Sequence, residues 1–278
     1  MKASKECYEC LRRLALQAAG LAASDEKSRL EATEKGLKVV EDNFSYDEVT
    51  IVVATKIHDV IKMITQTPDP YRGMKDKEIA VARELCSEVE LGNGGLRGCL
   101  ELAALGNTID FFKPVDVLRE SLKGRANFAI DDTGQLEARI KGSSKILYLA
   151  DNAGEMFFDL PHVRWMRQFT RVVYVTKALP VQNDVTLEDV RRAGLETELG
   201  EMITTGTATP GVAFSLASLQ FKHEFATADL IFAKGMGYYE SLSELPAEGK
   251  IFYCLMAKCQ PVADSLGVPL NSYVAMFR

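Results

Sequence analysis

The sequence predicts an α/β protein: a Rossmann-like, mostly parallel sheet with helices on both faces, preceded by an all-helical subdomain. Three observations carry this expectation. Four short apolar runs, in "SSKILYLADNAGE", "TRVVYVTKALP", "ADLIFAKGMG" and "GKIFYCLMAKC", are each closed by polar residues or glycine. Segments with helical patterning lie between them, as at 157–169 and 211–224. Uninterrupted apolar strands alternating with helices argue for a parallel sheet covered on both sides. Roughly the first hundred residues lack such runs and instead repeat apolar positions every three to four residues.

In order, "CYECLRRLALQAAGLAA" sets Cys10, Leu14, Ala18 and Leu21 at helical spacing, and Ser24-Asp25 can cap the next helix. "KSRLEATEKGLKVVEDN" continues the pattern to Asn43. "YDEVTIVVATKIHDVIKMIT" is rich in β-branched residues, yet Val49, Val52, Val53, Ile57, Val60, Ile61 and Ile64 keep a helical period, so it is predicted as helix. "PDPYRG" is a turn. The next stretch gives a helix opening on "KDKE", a Gly-rich break, and a second helix ending near 107–110. The charged, weakly patterned residues 113–141 hold the expected boundary between a helical part, 1–125, and an α/β part, 126–278.

With 278 residues, 47% apolar and 26% charged, the chain is ordinary globular material, long enough for a substantial core. The net charge of −6 and the absence of a Lys/Arg-rich stripe argue against nucleic acid as a partner. "MKASKECYECLRR" lacks the apolar stretch of a signal peptide, and no window approaches a membrane span, so a cytoplasmic location is expected. Six cysteines are too sparse for a disulfide scaffold, and reduced thiols are expected. No motif speaks to oligomeric state.

The strand ends hold the chemistry. In such sheets, ligands bind beyond the carboxyl ends of the strands. Here those ends carry Asp151-Asn152, Lys177, Lys234-Gly235 and Lys258-Cys259. Asp184, in "ALPVQND", follows the second run and could lie beside Asp151 on a neighbouring strand. Two carboxylates and an amide carbonyl are hard oxygen ligands suited to octahedral Mg²⁺ or Mn²⁺. Lysines beside such an ion would neutralise a phosphate and steady the transferring phosphoryl group. The "TGTATPG" loop with Gly206, ahead of a helix expected at Val212, could add backbone N–H groups. Asp-Asn after a strand can equally be a simple Asx turn and helix cap.

"LADNAGE", "PVQND", "LGNTIDF", "AKGMGYYESL" and "KCQPVADSLGV", with "CYECLRR" and "DPYRGMK", together resemble the metal-dependent damage-control phosphatases, first catalogued as a domain of unknown function. The N-terminal C-x-x-C resembles the prokaryotic branch. The resemblance implies a helical N-terminal part on a Rossmann-like domain. It also implies hydrolysis of phosphomonoesters of small metabolites, such as sugar phosphates or damaged phosphorylated cofactors. It assigns a divalent metal (Mn²⁺, Mg²⁺, Co²⁺ or Ni²⁺) to Asp151, Asn152 and Asp184. It places Glu155, Asn107 and Asp110 in the pocket, and Lys234 and Lys258 on the phosphate; Lys177 and Gly235 are further substrate-binding candidates. For catalysis, Glu155 or Asp110 would position an attacking water, or Asp151 would itself attack.

Cys7 and Cys10 share a helix face and read as small buried groups, as half of a structural or regulatory metal site completed by Cys254 and Cys259, or as a redox pair. His58 is expected to partner nearby acids, His162 and His223 to serve surface or packing roles, and Trp165, Met166 and Phe169 to form a core stripe. Tyr238 and Tyr239 could cap the pocket or simply pack. "KDKE" reads as a solvated helix start, and Lys75, which belongs to the "DPYRGMK" resemblance, is a candidate to reach the site. The alternative function is an S-adenosylmethionine- or nucleotide-binding protein, but "ADNAGE" has one glycine where a dinucleotide loop wants three.

Overall fold

A computed structural model describes residues 1–88, 95–107, 115–122, 124–246 and 248–278. Six helices come first: α1 (Lys5–Ala22), α2 (Glu26–Asn43), α3 (Thr50–Thr65), α4 (Arg72–Glu88), α5 (Gly95–Gly106) and α6 (Val115–Leu122). Asp25 caps α2 by accepting from the Ser28 amide at 2.9 Å. α3 is helical despite its β-branched residues because Ile51, Ala54, Ile57 and Ile61 fall on one buried face.

The sheet follows, with β1 (Phe128–Asp131), α7 (Thr133–Gly142), β2 (Lys145–Leu149), α8 (Met156–Met166) and β3 (Arg171–Thr176). Then come α9 (Leu187–Ala193), α10 (Glu196–Leu199), β4 (Met202–Thr204), α11 (Leu219–Thr227) and β5 (Leu230–Lys234). The chain ends with α12 (Gly235–Leu242), β6 (Ile251–Met256), α13 (Gln260–Leu266) and β7 (Tyr273–Phe277). The strand order is β1-β7-β6-β5-β2-β3-β4. Strands β2 to β6 run parallel, whereas β7 is antiparallel to β6 and carries β1 with it. The chain winds outward from β2 through β3 to β4, then returns to the other side of β2 with β5. The β2–β5 boundary is therefore the topological switch point, where a crevice opens beyond the strand ends.

β2 and β5 are buried along their whole length, as their unbroken apolar runs require. One sheet face packs on α4, α5 and α8 through Leu100, Phe158 and Tyr148; the other packs on α11 to α13 through Phe221, Tyr238 and Val262. α1 to α3 share a separate core built on Ala15, Ala18, Ala32 and Ile57. Small residues let these helices approach closely. This trio touches the sheet domain through α12 and α13.

Several local expectations need correction. The helix expected at Val212 begins only at Leu219, where Ser218 caps it by accepting from the Phe221 amide at 3.1 Å. The preceding loop folds back instead, the Ser218 amide donating to the Thr205 carbonyl at 3.0 Å. Three strands escaped the pattern: β1, β4 and β7 are short or peripheral, and β1 lies in the stretch read as boundary. Of the expected core stripe, Met166 is buried and the half-buried Trp165 packs against the core, but Phe169 is 42% exposed and meets Trp165 at the surface. Lys75 is no solvated residue: it is fully buried and pairs with Asp69 at 2.7 Å and Asp189 at 2.9 Å.

Among the described residues, His58 has no acidic partner. Both its nitrogens and both of His162 are buried without hydrogen bonds; His58 meets Tyr71 edge-on, and His162 packs against Tyr148 and Phe232. Burial, reinforced by nearby lysines, pushes each imidazole down to about 3. An unfolded histidine takes up a proton near its ordinary pKa of about 6.5. Below that pH the unfolded chain binds protons that the folded one refuses. Each histidine should therefore cost about 1.4 kcal/mol of stability per pH unit as pH falls from the ordinary value towards the depressed one. In urea unfolding, His162→Phe is expected to lose less stability than the parent between about pH 7.5 and 5, by about 2 kcal/mol. Identical pH slopes would show that His162 is not held neutral.

Candidate active site

Each strand end sets one part of the site. β2 delivers Asp151 and Asn152, after which Ala153–Glu155 form a single 3-10 turn into α8. The loop after β3 is laced to them by main-chain bonds. Val185 N–H donates to the Asp151 carbonyl at 2.8 Å, Ala153 N–H donates to the Asn183 carbonyl at 2.8 Å, and Asn152 bridges Asp184. The adjacency of Asp151, Asn152 and Asp184 expected from sequence is thus made by the backbone.

These residues form part of the wall of a cavity of about 520 Å³. Lys258, Gln182 and Gly211 line it nearby; α1 contributes Cys7, Cys10, Leu11 and Arg13, α3 contributes Thr50 and Ile51, and α12 contributes Met236 and Glu240. The α1–α3 bundle is therefore one wall of the site. The volume falls in the ordinary range for a small-molecule pocket.

Beneath the cavity lies a buried network. Asn107, at the end of α5, donates through Nδ2 to Asp151 Oδ2 at 2.8 Å and to Glu155 at 2.9 and 3.1 Å. Asn152 Nδ2 donates to Glu155 Oε1 at 2.6 Å, which turns its carbonyl oxygen the other way. Lys234 Nζ sits 2.6 Å from both Glu155 and Asp159, and Asp159 also accepts from the Tyr174 hydroxyl at 3.1 Å. Lys177 Nζ lies 3.4 Å from Asp184, donates to the Gly211 carbonyl at 2.5 Å, and stands 4.0 Å over the Tyr238 ring.

The electrostatics follow from this packing. Burial raises Asp151 well above the ordinary carboxylate range, with Glu155 and Asp184 adding like-charge repulsion. Burial raises Asp184 to about 6, with Lys177 opposing. Burial would raise Glu155 too, but the ammoniums of Lys234 and Lys258 hold it below its ordinary value. Lys234 stays protonated: burial works against its charge, and Asp159 and Glu155 more than offset it.

The sequence candidates divide accordingly. Asp151, Asn152, Asp184 and Lys258 line the cavity. Glu155, Lys177 and Lys234 are buried behind it. Lys258 Nζ donates to the Asn107 main-chain oxygen. Gly235 serves the fold locally: its φ is +80°, and a Cβ there would stand 2.0 Å from Asp151 Oδ2. Gly206 lies against Ser218 instead of the site. Asp110 lies outside the described residues. Cys7, Cys10 and Cys259 line the cavity as free thiols, whereas Cys254 is buried in β6. Among the described residues, no three His, Cys, Asp or Glu side chains form a ready-made metal cluster. Sequence reasoning missed Asp159 and Glu78. Asp159 stands one helical turn after Glu155, a spacing that puts both on one face and could have revealed it.

Fold and site together define a doubly wound α/β protein that gathers carboxylates and lysines at its switch point beneath a helical wall. The chain belongs to the damage-control phosphatase family, the model of the Damage-control phosphatase ARMT1-like domain matching residues 3–274. It is 33% identical to a damage-control phosphatase of Pyrococcus horikoshii over 283 residues, covering 99% of this chain and 98% of that protein. It is 31% identical over 287 residues to a damage-control phosphatase of Archaeoglobus fulgidus, covering 99% of each. The crystal structure of a DUF89 family protein from Pyrococcus horikoshii, 31% identical, matches with a TM-score of 0.91 over 100% of this chain and 99% of that one. The methyltransferase or nucleotide-sensor alternative has no support from these matches. No helix among the described residues is long and apolar enough to cross a membrane.

Gly235→Ala should lower phosphatase turnover by about 100-fold, since a displacement of about 1 Å at a reacting group can cost that much. Gly249→Ala is the control: its φ is +69° but its Cβ would meet open space. Equal losses in the two variants, measured as p-nitrophenyl phosphate hydrolysis beside melting temperature, would reduce Gly235 to a question of backbone strain.

Proposed function

We propose that this protein is a divalent-metal-dependent phosphatase that hydrolyses phosphomonoesters of small metabolites, sugar phosphates or damaged phosphorylated cofactors among them. The observation that carries this reading is the convergence of Asp151, Asn152 and Asp184 with Lys258 on one cavity, in a chain of the damage-control phosphatase family. The donor set suits a hard cation, Mn²⁺, Mg²⁺, Co²⁺ or Ni²⁺, with two carboxylates and an amide oxygen turned away from Glu155. The charge balance supports it. Burial holds Asp151, Asp159 and Asp184 above the ordinary carboxylate range even with Lys177, Lys234, Lys258 and Lys75 nearby, so a further positive charge at the cavity would favour their ionised forms. A divalent cation held there would offset charge on the phosphoryl group and make a water more acidic.

The protein's own residues supply the rest. Lys258, at the cavity wall, binds phosphate oxygens. Asn107 and Gly235 hold Asp151 in place, which disfavours its attack on phosphorus and supports attack by water. The water oxygen bonds to phosphorus as the bond to the alcohol oxygen breaks, and one proton of the water ends on the departing alcohol oxygen. Glu155 spends both oxygens on Asn107, Asn152 and Lys234, so it orients Asn152; Asp110 remains the candidate for positioning the water. Leu11, Ile51 and Met236 give the leaving group an apolar surround. Cys7 and Cys10 could hold a second, structural or regulatory metal if Cys259 moved to join them. A thiol titration unchanged by chelator would dismiss that site.

A screen of phosphorylated metabolites against each of the four metals should show metal-dependent phosphate release. Asp151→Ala is expected to cut turnover on the order of 1,000-fold, and Lys258→Ala to act chiefly on KM. Full activity of Asp151→Ala, or of the parent protein after exhaustive chelation, would end the metal-dependent reading.

A further inference from the structure

Besides walling the cavity, the helical half grips the loop that carries Asp184. Lys62 of α3 donates to the Pro180 carbonyl. Lys75 of α4 pairs with Asp189, whose carboxylate accepts from the Thr186 amide at 2.9 Å and hydroxyl at 2.7 Å. Between these two anchors, Glu78 of α4 accepts from Asn183 Nδ2 at 3.0 Å.

Glu78 is the unusual member. It is 3% exposed and, among the described residues, lies outside the cavity wall with one oxygen accepting no hydrogen bond. A buried acid with an idle oxygen is a poor device for stability. Its position offers another reason. Asn183 directly precedes Asp184, and its carbonyl accepts from the Ala153 amide at 2.8 Å. The Gly154 amide lies against the same Glu78 carboxylate, and α4 packs on the 153–155 turn. One side chain from the helical half therefore reaches both loops that present the oxygen donors.

We propose that Glu78 is a positioning residue: by fixing Asn183 and the 153–155 turn, it holds Asp184 opposite Asn152 and so sets the affinity of the site for its divalent cation. This rests on the reading of Asp151, Asn152 and Asp184 as the cation site. Groups one shell away from a metal commonly change its affinity by about 10- to 100-fold when removed.

The test is Mn²⁺ binding to the full chain without substrate, read from the free-ion electron paramagnetic resonance signal, with melting temperature measured alongside. Glu78→Ala and Asn183→Ala should each weaken Mn²⁺ binding about tenfold, while Glu78→Gln, which keeps a carbonyl acceptor, restores most of the affinity. The double Ala variant should bind no more weakly than Glu78→Ala alone, because that variant already removes the contact to Asn183. Should Glu78→Ala fail to fold, Asn183→Ala, altered at a half-buried loop position, decides the matter. Unchanged Mn²⁺ affinity in the folded variants, or strictly additive losses, overturns the proposal and leaves the metal reading intact. Failure of the parent protein to bind Mn²⁺, or undiminished binding by Asp151→Ala, overturns both.

Discussion

The structure depends on the burial of like charges at the β2–β5 switch point. Asp151, Glu155, Asp159 and Asp184 crowd beneath one cavity, and burial alone would drive such carboxylates to take up protons. Lys177 and Lys234 oppose that drive from below, each sealed from solvent. Removing one partner of such a pair leaves an uncompensated charge in a low dielectric, a severe penalty. This explains why the lysines close the strands: a strand end is rigid enough to hold an ammonium within 2.6 Å of two carboxylates at once.

The three lysines consequently do different work, although they look alike in the sequence. Lys234 and Lys177 are counter-charges within the protein, fixed by carboxylates, a carbonyl and an aromatic face. Lys258, after β6, opens onto the cavity and is the one of the three with access to a ligand. The same division separates the carboxylates. Glu155 and Asp159 are saturated from the protein side, whereas Asp151 and Asp184 line the cavity. Asn107 joins the two layers, since one amide donates to both Asp151 and Glu155.

The helical half completes the cavity from above and steadies the ligand loops from the side. α1 and α3 supply wall residues, and α4 sends Lys75 and Glu78 inward to the segment after β3. α4 and α5 also share the sheet's own core, whereas α1 to α3 keep a separate one. α3 takes part in both tasks, lining the pocket and holding the Pro180 carbonyl through Lys62.

The sequence by itself determined the α/β class, the central strands β2, β3, β5 and β6, and the polar residues at their ends. It did so because a strand buried on both faces must be apolar throughout, and any polar residue at its end is conspicuous. The adjacency of Asp151 and Asp184 followed from the same logic of neighbouring parallel strands. Tertiary structure alone decided which of those polar groups face a ligand. Burial, and the distance from Lys234 to Glu155 and Asp159, are set by elements far apart in the chain, and no local pattern encodes them. The same holds for Lys75 and Glu78, whose charged run resembles a solvated helix start until α4 is laid against the loop before Asp189. It holds also for Gly235, whose missing side chain matters only because Asp151 occupies the space.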